Sequence, residues 1–346
     1  MPEKTSLTSE NRYRIAIVGA GAWGSALACI AAENGHQVVL WGRRPEVVEE
    51  IRFQRTNRQY LPADIRLHSA IEPTTDVAQV NQAEIIVLAV PTQYIRPLLQ
   101  SYPFDLRDRL IVNVAKGIEI GTHRRISEIL LEEALVDLDH YVVLTGPSHA
   151  EEVCRRAPTT VVSASLDLRK AEIVQQIFST PFFRVYTSHD VVGAEMGGAL
   201  KNVIALAAGM VDGLRLGSNA KAALMTRGLA EMSRLGVAMG ANPLTFSGLS
   251  GLGDLIVTCI SQYSRNRRIG ELIGTGLSLD EALRQIPGVA EGVSTVQAVK
   301  ELATQYRIEM PISSEIYAIL FQGKSPHQAI TDLMTRDAKP ELWGIA

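Results

Sequence analysis

The sequence predicts an α/β protein in two parts, an N-terminal doubly wound parallel sheet followed by an all-helical C-terminal domain. Three observations carry this. A β-branched run, Ile15-Ala-Ile-Val, leads into Gly19-Ala-Gly21-Ala-Trp23-Gly24 and then into a helix-like segment. Apolar runs then alternate with helix-like segments as far as His189, the order that buries a parallel sheet between helices. After His189 the strand-like runs stop and the periodic segments are helical. A chain of 346 residues is also long for a single core, so the expected division is 1–189 and 190–346.

Taken in order, strands are predicted at 14–18, 37–41, 84–90, 110–114, 141–145, 159–163 and 184–187, short runs apolar enough to be buried on both faces. Helices are predicted between them at 24–34, 45–53, 92–100, 124–134 and 167–178, the first capped by Gly35. In the second half the helical segments are 190–214, 221–239, 267–273, 278–286, 293–306, 312–321 and 325–334, while the glycine-rich stretch 247–253 reads as a loop.

Composition narrows the class. With 34 Lys and Arg against 37 Asp and Glu, the net charge of −3 supplies no general attraction for nucleic acid or an anionic membrane, so any anion site must be local. Cys29, Cys154 and Cys259 are scattered without metal-ligand spacing, which fits a reducing compartment and indicates neither a disulfide framework nor a zinc site. Residues 1–14 are polar and lack the apolar core of an export signal. Lys201 and Asp212 interrupt the richest apolar stretch, so no membrane span is expected. The expectation is a cytoplasmic protein.

Each glycine of the first turn has a separate use in a dinucleotide site: Gly19 for the tight turn, Gly21 for close approach of a pyrophosphate, and Gly24 for packing the helix onto the strand. An acid about 20 residues further on would bond a ribose 2′-hydroxyl. Here the chain reads Trp41-Gly42-Arg43-Arg44, with no carboxylate before Glu46. Two guanidiniums fit a 2′-phosphate, so NADP(H) is favoured and NAD(H) stays open. A solvated pair of loop arginines is the alternative.

Ligands of open α/β sheets collect beyond the carboxyl ends of the strands. That singles out Lys116, after the fourth predicted strand, and Gly146-Pro-Ser148-His149-Ala150, after the fifth. A surface lysine and an ordinary helix cap would look the same. In the long helix after His189, Lys201 shares a face with Ala194, Gly197, Gly198, Ala205 and Ala208. Two glycines cost a helix roughly 1 kcal/mol each relative to alanine, so a neighbouring backbone or a ligand is expected against this face. A lysine beside such a gap loses hydration and its pKa falls toward the range useful for proton transfer; snorkelling to water is the competing picture.

In Ser264-Arg265-Asn266-Arg267-Arg268, Ser264 is a candidate N-cap and arginines crowd the positive end of a helix dipole. A phosphorylated ligand would balance them. Asp254 could orient the lysine, bond a hydroxyl or cap a helix. Glu291 could bond a nicotinamide carboxamide or favour a helix start, and the residues alone lean to the latter. His149 reads as a polar residue at a helix start.

Taken together, Gly19-x-Gly21-x-Trp23-Gly24, Ala115-Lys116-Gly117, Gly146-Pro-Ser148-His-Ala150, Leu200-Lys201-Asn202-Val203, Gly251-Leu-Gly-Asp254, Ser264-Arg265-Asn266 and Val289-x-Glu291-Gly292 resemble the NAD(P)-dependent glycerol-3-phosphate dehydrogenase family in its bacterial form. Each motif is weak alone, but their succession from about residue 14 to 312 is specific. The resemblance implies a Rossmann-type domain followed by a helical one, a homodimer, and reversible hydride transfer between NAD(P)H and dihydroxyacetone phosphate, giving sn-glycerol 3-phosphate for glycerophospholipid synthesis. It implies Lys201 as general acid and base, with Lys116 and Asp254 flanking it. It puts Arg265 and Asn266 on the substrate phosphate, with Ser264, Gly146 and Ser148 completing the substrate pocket. On the cofactor side it implies Ala22, Trp23, Arg43, Arg44, Lys116, Ala150, Arg265, Val289 and Glu291.

Two other readings compete. A β-hydroxyacid or 6-phosphogluconate-type dehydrogenase also joins a Rossmann domain to helices bearing an active-site lysine, but the turn at 264–266 and the stretch 251–254 favour a glycerol phosphate. A dinucleotide-binding sensor without chemistry is compatible with the N-terminal half alone, and Lys201 with Lys116 argues against it.

Overall fold

The computed structural model describes residues 12–134, 136–286 and 288–341. The polar stretch 1–14 therefore lies outside the described residues as far as Asn11, as does Pro287 in the turn before Glu291. Eight strands form one sheet: β1 Arg14–Val18, β2 Gln37–Trp41, β3 Ile71–Thr74, β4 Ile85–Leu88, β5 Leu110–Asn113, β6 Tyr141–Thr145, β7 Thr159–Ala164 and β8 Phe183–Ser188. Their order is β3-β2-β1-β4-β5-β6-β7-β8.

Alternate side chains of the inner strands β2, β1, β4, β5 and β6 bury to opposite faces, whereas edge strand β8, expected to be buried on both, leaves Arg184 and Tyr186 exposed. Ile15 and Ile17 join one apolar cluster, while Ala16 and Val18 join the other, which is why β1 reads as an unbroken apolar run. Because β1 pairs with β2 on one side and β4 on the other, the chain changes direction there. A crevice for ligands opens at the carboxyl ends of these strands.

Two further features of the sheet differ from expectation. Strand β3 was not predicted: Ile71-Glu-Pro-Thr is four residues long and contains Pro73, which lacks a ladder donor and is tolerated at a sheet edge. Lys116 accordingly follows the fifth strand and Gly146 the sixth. The sheet is also not wholly parallel, since β6 and β7 pair antiparallel. Their connection contains only the five-residue helix Ala150–Cys154, short for a crossover.

From Val191 onward the described elements are helical. Helix Val191–Gly213 is long and apolar enough to cross a membrane, but 94% of its apolar window is enclosed by protein. Its glycines let other helices press against its backbone. A Cβ on Gly209 would lie 1.9 Å from the Arg267 carbonyl oxygen, and one on Gly270 would lie 2.0 Å from that of Leu206. Asp190 caps the helix by accepting from the Gly193 N–H at 2.8 Å. The stretch 247–253 is not simply a loop: Leu249–Gly253 forms a wide helical turn leading into helix Asp254–Ile260, and Pro243–Phe246 is a further short helix. A Cβ on Gly197 would lie 2.4 Å from the Ser250 carbonyl oxygen, so the neighbour pressed on that face is this turn's backbone.

Candidate active site

A cleft of about 750 Å³ opens where the glycine turn, the turns after β4, β5 and β6, and the helices bearing Lys201 and Arg265 meet. The first turn is shaped by its glycines. Gly19 has φ of +122°, and a Cβ there would lie 2.5 Å from the Ala89 carbonyl oxygen. A Cβ on Gly24 would lie 2.0 Å from the Gly19 carbonyl oxygen, so this glycine serves helix packing beneath the turn. Nothing lies within 4 Å of a Cβ built on Gly21, which leaves the backbone open toward the cleft.

At the opposite end of the cleft the two lysines share one carboxylate. Lys201 Nζ donates to Asp254 Oδ1 at 2.5 Å and to Thr258 Oγ1 at 2.7 Å. Lys116 Nζ donates to Asp254 Oδ2 at 2.8 Å and to the Gly146 carbonyl at 2.9 Å. Thr258 passes its own proton to the Asp254 carbonyl at 2.6 Å, one helical turn back. This makes the Thr258 hydroxyl an acceptor toward Lys201.

Lys201 is only 6% exposed, which rules out the snorkelling picture. Burial lowers its pKa to about 8, with Lys116 adding to the fall and Asp254 opposing it. Burial would raise the Asp254 carboxyl, but Lys116 and Lys201 together hold it below the usual range. The result is two cations and one anion in a nearly dry pocket, with one ammonium close to losing its proton. His149, at the start of helix Ala150–Cys154, is lowered to about 4 by burial and by the two lysines, so it is neutral near pH 7.

The third cluster surrounds helix Arg265–Gly274. Ser264 caps it, accepting from the Arg267 N–H at 3.2 Å. Asn266 Nδ2 donates to Asn202 Oδ1 at 2.9 Å, and Asn202 Nδ2 donates to the Lys116 carbonyl at 3.1 Å. These bonds join the turn at 264–266 to both lysines. Arg265 lines the cleft and bonds the Val289 carbonyl at 3.2 Å. Arg267 does not serve the cleft, because Asp212 at 2.8 Å and Glu271 at 3.3 Å neutralise it, and Arg268 is exposed. Of the three arginines, Arg265 alone lines the cleft.

Of the predicted site residues, Gly19, Gly21, Ala22, Trp23, Arg43, Arg44, Lys116, Ser148, Ala150, Lys201, Ser264, Arg265, Asn266, Val289 and Glu291 line the cleft. Gly24, Gly146 and Asp254 stand behind it: the first packs a helix, the second supplies a carbonyl, and the third is 1% exposed beneath the lysines. Gly146 has φ of +138°, a conformation that favours glycine. Glu291 opens helix Glu291–Tyr306 and also lines the cleft. Its Oε1 accepts from the Thr92 N–H at 2.8 Å, and burial raises its carboxyl to about 7. Thr258, Asn202 and Tyr60 also line the cleft and were not predicted. The spacing of Thr258 four residues after Asp254 was the available signal.

The dinucleotide fits this wall. Buried Trp23 Nε1 and Glu291 Oε2 lack a partner of good geometry among the described residues, and Gly21 leaves open space over the turn.

Two family models match the chain: the N-terminus of NAD-dependent glycerol-3-phosphate dehydrogenase over residues 14–171, and its C-terminus over 190–331. A glycerol-3-phosphate dehydrogenase [NAD(P)+] of Lysinibacillus sphaericus is 52% identical over 332 residues, covering 95% of this chain and 98% of the relative. That of Geobacillus thermodenitrificans is 53% identical over 331 residues, covering 95% and 96%. The crystal structure of glycerol-3-phosphate dehydrogenase from Coxiella burnetii superposes with a TM-score of 0.88 at 36% identity, covering 94% of this chain and 99% of that one.

Proposed function

The chain belongs to the NAD-dependent glycerol-3-phosphate dehydrogenase family, and from that premise we propose how its own residues carry the reaction. It is an oxidoreductase that transfers a hydride between NAD(P)H and dihydroxyacetone phosphate, giving sn-glycerol 3-phosphate. The observation that carries the assignment of roles is the Lys116–Asp254–Lys201 cluster at the head of the cleft, with Asp254 and Lys201 buried.

When bound, the nicotinamide supplies the hydride that reduces the ketone carbon. The developing alkoxide needs a proton, and Lys201, with a pKa brought near 8, is placed to give it. Asp254 keeps Lys201 charged enough to act as an acid despite burial, and Thr258 fixes the direction of its Nζ. Lys116 adds a second positive charge for the oxygens of the substrate, with Gly146 and Ser148 shaping the turn beside it. Arg265 and Asn266, at the N-terminus of helix Arg265–Gly274, receive the substrate phosphate with Ser264 as cap. In the oxidative direction the neutral Lys201 amine takes the hydroxyl proton.

Gly19, Gly21, Ala22 and Trp23 form the dinucleotide turn, with Gly24 packing the helix beneath it. Ala150, Val289 and Glu291 bound the nicotinamide end. Arg43 and Arg44, at the end of β2, take a 2′-phosphate, which makes NADP(H) the preferred cofactor over NAD(H). Residues 1–189 are the dinucleotide-binding domain and 190–346 the substrate-binding domain. The working form is a cytoplasmic homodimer supplying glycerophospholipid synthesis. A progress curve of NADPH absorbance with dihydroxyacetone phosphate, repeated with NADH and with 6-phosphogluconate, tests substrate and cofactor together. Turnover of 6-phosphogluconate alone would overturn the proposal.

A further inference from the structure

The end of the cleft remote from Lys201 holds a contact that the glycine fingerprint does not foreshadow. Arg44 is the N-cap residue of helix Pro45–Gln54, and Tyr60 comes from the loop that follows this helix. Arg44 Nη2 donates to the Tyr60 hydroxyl, and its guanidinium carbon stands 5.2 Å from the centroid of the same ring. Both side chains are half-buried and line the cleft, whereas Arg43 is exposed.

Tyr60 is itself fixed from below. Its N–H donates to the Asn57 carbonyl at 3.0 Å, and so does that of Leu61 at 2.8 Å. Asn57 is 2% exposed, and its Nδ2 donates to the Ala20 carbonyl at 3.0 Å and to Ser25 Oγ at 2.9 Å. Ala20 lies between the first two glycines of the dinucleotide turn, so the Tyr60 loop is tied to the turn that receives the pyrophosphate. Glu50 holds the other side, accepting from Thr56 Oγ1 at 2.6 Å and the Arg58 N–H at 3.0 Å.

We propose that Tyr60 is a specificity-determining residue that positions Arg44 to receive the 2′-phosphate and so widens the preference for NADPH over NADH. The inference rests on Arg43 and Arg44 being the 2′-phosphate receptor. A free arginine loses side-chain freedom when it binds an anion; one already held by a hydroxyl and an aromatic face loses less. The bond to Tyr60 uses one of five guanidinium N–H groups and leaves the rest available. Because the phenol oxygen accepts from Arg44, its own proton remains free to donate to an anion beside the guanidinium. Asn57 makes the arrangement rigid, coupling the pyrophosphate turn to the 2′-phosphate end.

The test is titration of purified enzyme with NADPH and separately with NADH, following the fluorescence of the reduced nicotinamide. Tyr60→Phe keeps the ring and loses the hydroxyl, so the NADPH Kd should rise about 3- to 10-fold, the range of one hydrogen bond, while the NADH Kd stays within about twofold. Arg44→Ala should remove most of the preference, and adding Tyr60→Phe to it should then change little, because Tyr60 acts through Arg44. An unchanged NADPH Kd in Tyr60→Phe while Arg44→Ala loses the preference would overturn the role of Tyr60 alone. Equal weakening of both cofactors by Tyr60→Phe would do the same and make the tyrosine merely structural, as would full additivity with Arg44→Ala. If Arg44→Ala and the Arg43/Arg44 double variant keep the preference, the 2′-phosphate receptor itself is wrong and the inference falls with it.

Discussion

Replacing Asp254 by Asn removes the one anion that the buried Lys201 ammonium shares with the half-buried Lys116. The side chain is almost isosteric, so the change is chiefly one of charge. A unit-charge contact about 4 Å long contributes about 4 kcal/mol at an effective dielectric near 20, equivalent to about three pK units. The contact at Lys201 is 2.5 Å, and Lys116 remains nearby to repel the second charge. Lys201 should therefore fall from about 8 by two to three units, into the range known for buried lysines without a counter-ion. Lys201 must be protonated to act as an acid, so kcat/KM for ketone reduction is level at low pH and falls as pH rises through the pKa of the free enzyme. In Asp254→Asn that limb should move acidward by two to three units. The defect relative to wild type should then grow by about a hundredfold or more between pH 5.5 and 9. The acid limb for glycerol 3-phosphate oxidation should move by the same amount. The assay is NADPH absorbance across this pH range, with melting curves at each pH to exclude unfolding. A limb that stays near pH 8 with a uniform loss of rate would refute the charge argument and reduce Asp254 to a structural partner.

Other consequences can be read with ordinary kinetics. Changing Arg43 and Arg44 together to Ala should weaken NADPH by about 1.5–3 kcal/mol per charged bond lost and leave NADH little changed, measured as separate Kd values. Arg265→Ala should raise the KM for dihydroxyacetone phosphate about 10- to 100-fold, the loss of one charged hydrogen bond, with a smaller effect on NADPH; an unchanged substrate KM would move Arg265 wholly to the cofactor. Gly209→Ala would put a methyl 1.9 Å from the Arg267 carbonyl oxygen and force two helices apart. It should cost about 1–3 kcal/mol and lower the Tm by several degrees, and an unchanged Tm would show that the helices part freely.

What the sequence made legible was whatever depends on neighbours along the chain. Gly19, Gly21 and Gly24 each answer a local demand of one turn, and β1 declares its double burial by an unbroken apolar run. Strand β3 was hidden because Pro73 and a length of four residues imitate a turn, and only its place at the sheet edge makes it a strand. Leu249–Gly253 looked like a loop because its glycines are required by close approach rather than by flexibility: a Cβ on Gly251 would lie 2.2 Å from the Phe246 carbonyl oxygen. Arg267 counted among the arginines crowding a helix start because Asp212, which neutralises it, comes from another helix. Thr258 was signalled only by its spacing four residues after Asp254, and the packing of helix Asp254–Ile260 on Val191–Gly213 turns it toward Lys201. Lys201 could be singled out from its small neighbours, but its sharing of Asp254 with Lys116 is a tertiary fact.

The central claim is that Lys201 supplies the proton. Lys201→Met keeps the apolar stem and leaves Asp254 paired with Lys116, so the fold retains its packing and the remaining charges stay matched. A single-turnover measurement, with enzyme and NADPH in excess over dihydroxyacetone phosphate, isolates the chemical step from product release. The reduction rate should fall by about 10²–10⁴-fold, the usual contribution of a general acid, while the NADPH Kd and the Tm stay close to wild type. A near-normal rate in a folded, NADPH-binding variant would contradict the account and leave Lys116 as the proton donor to test next.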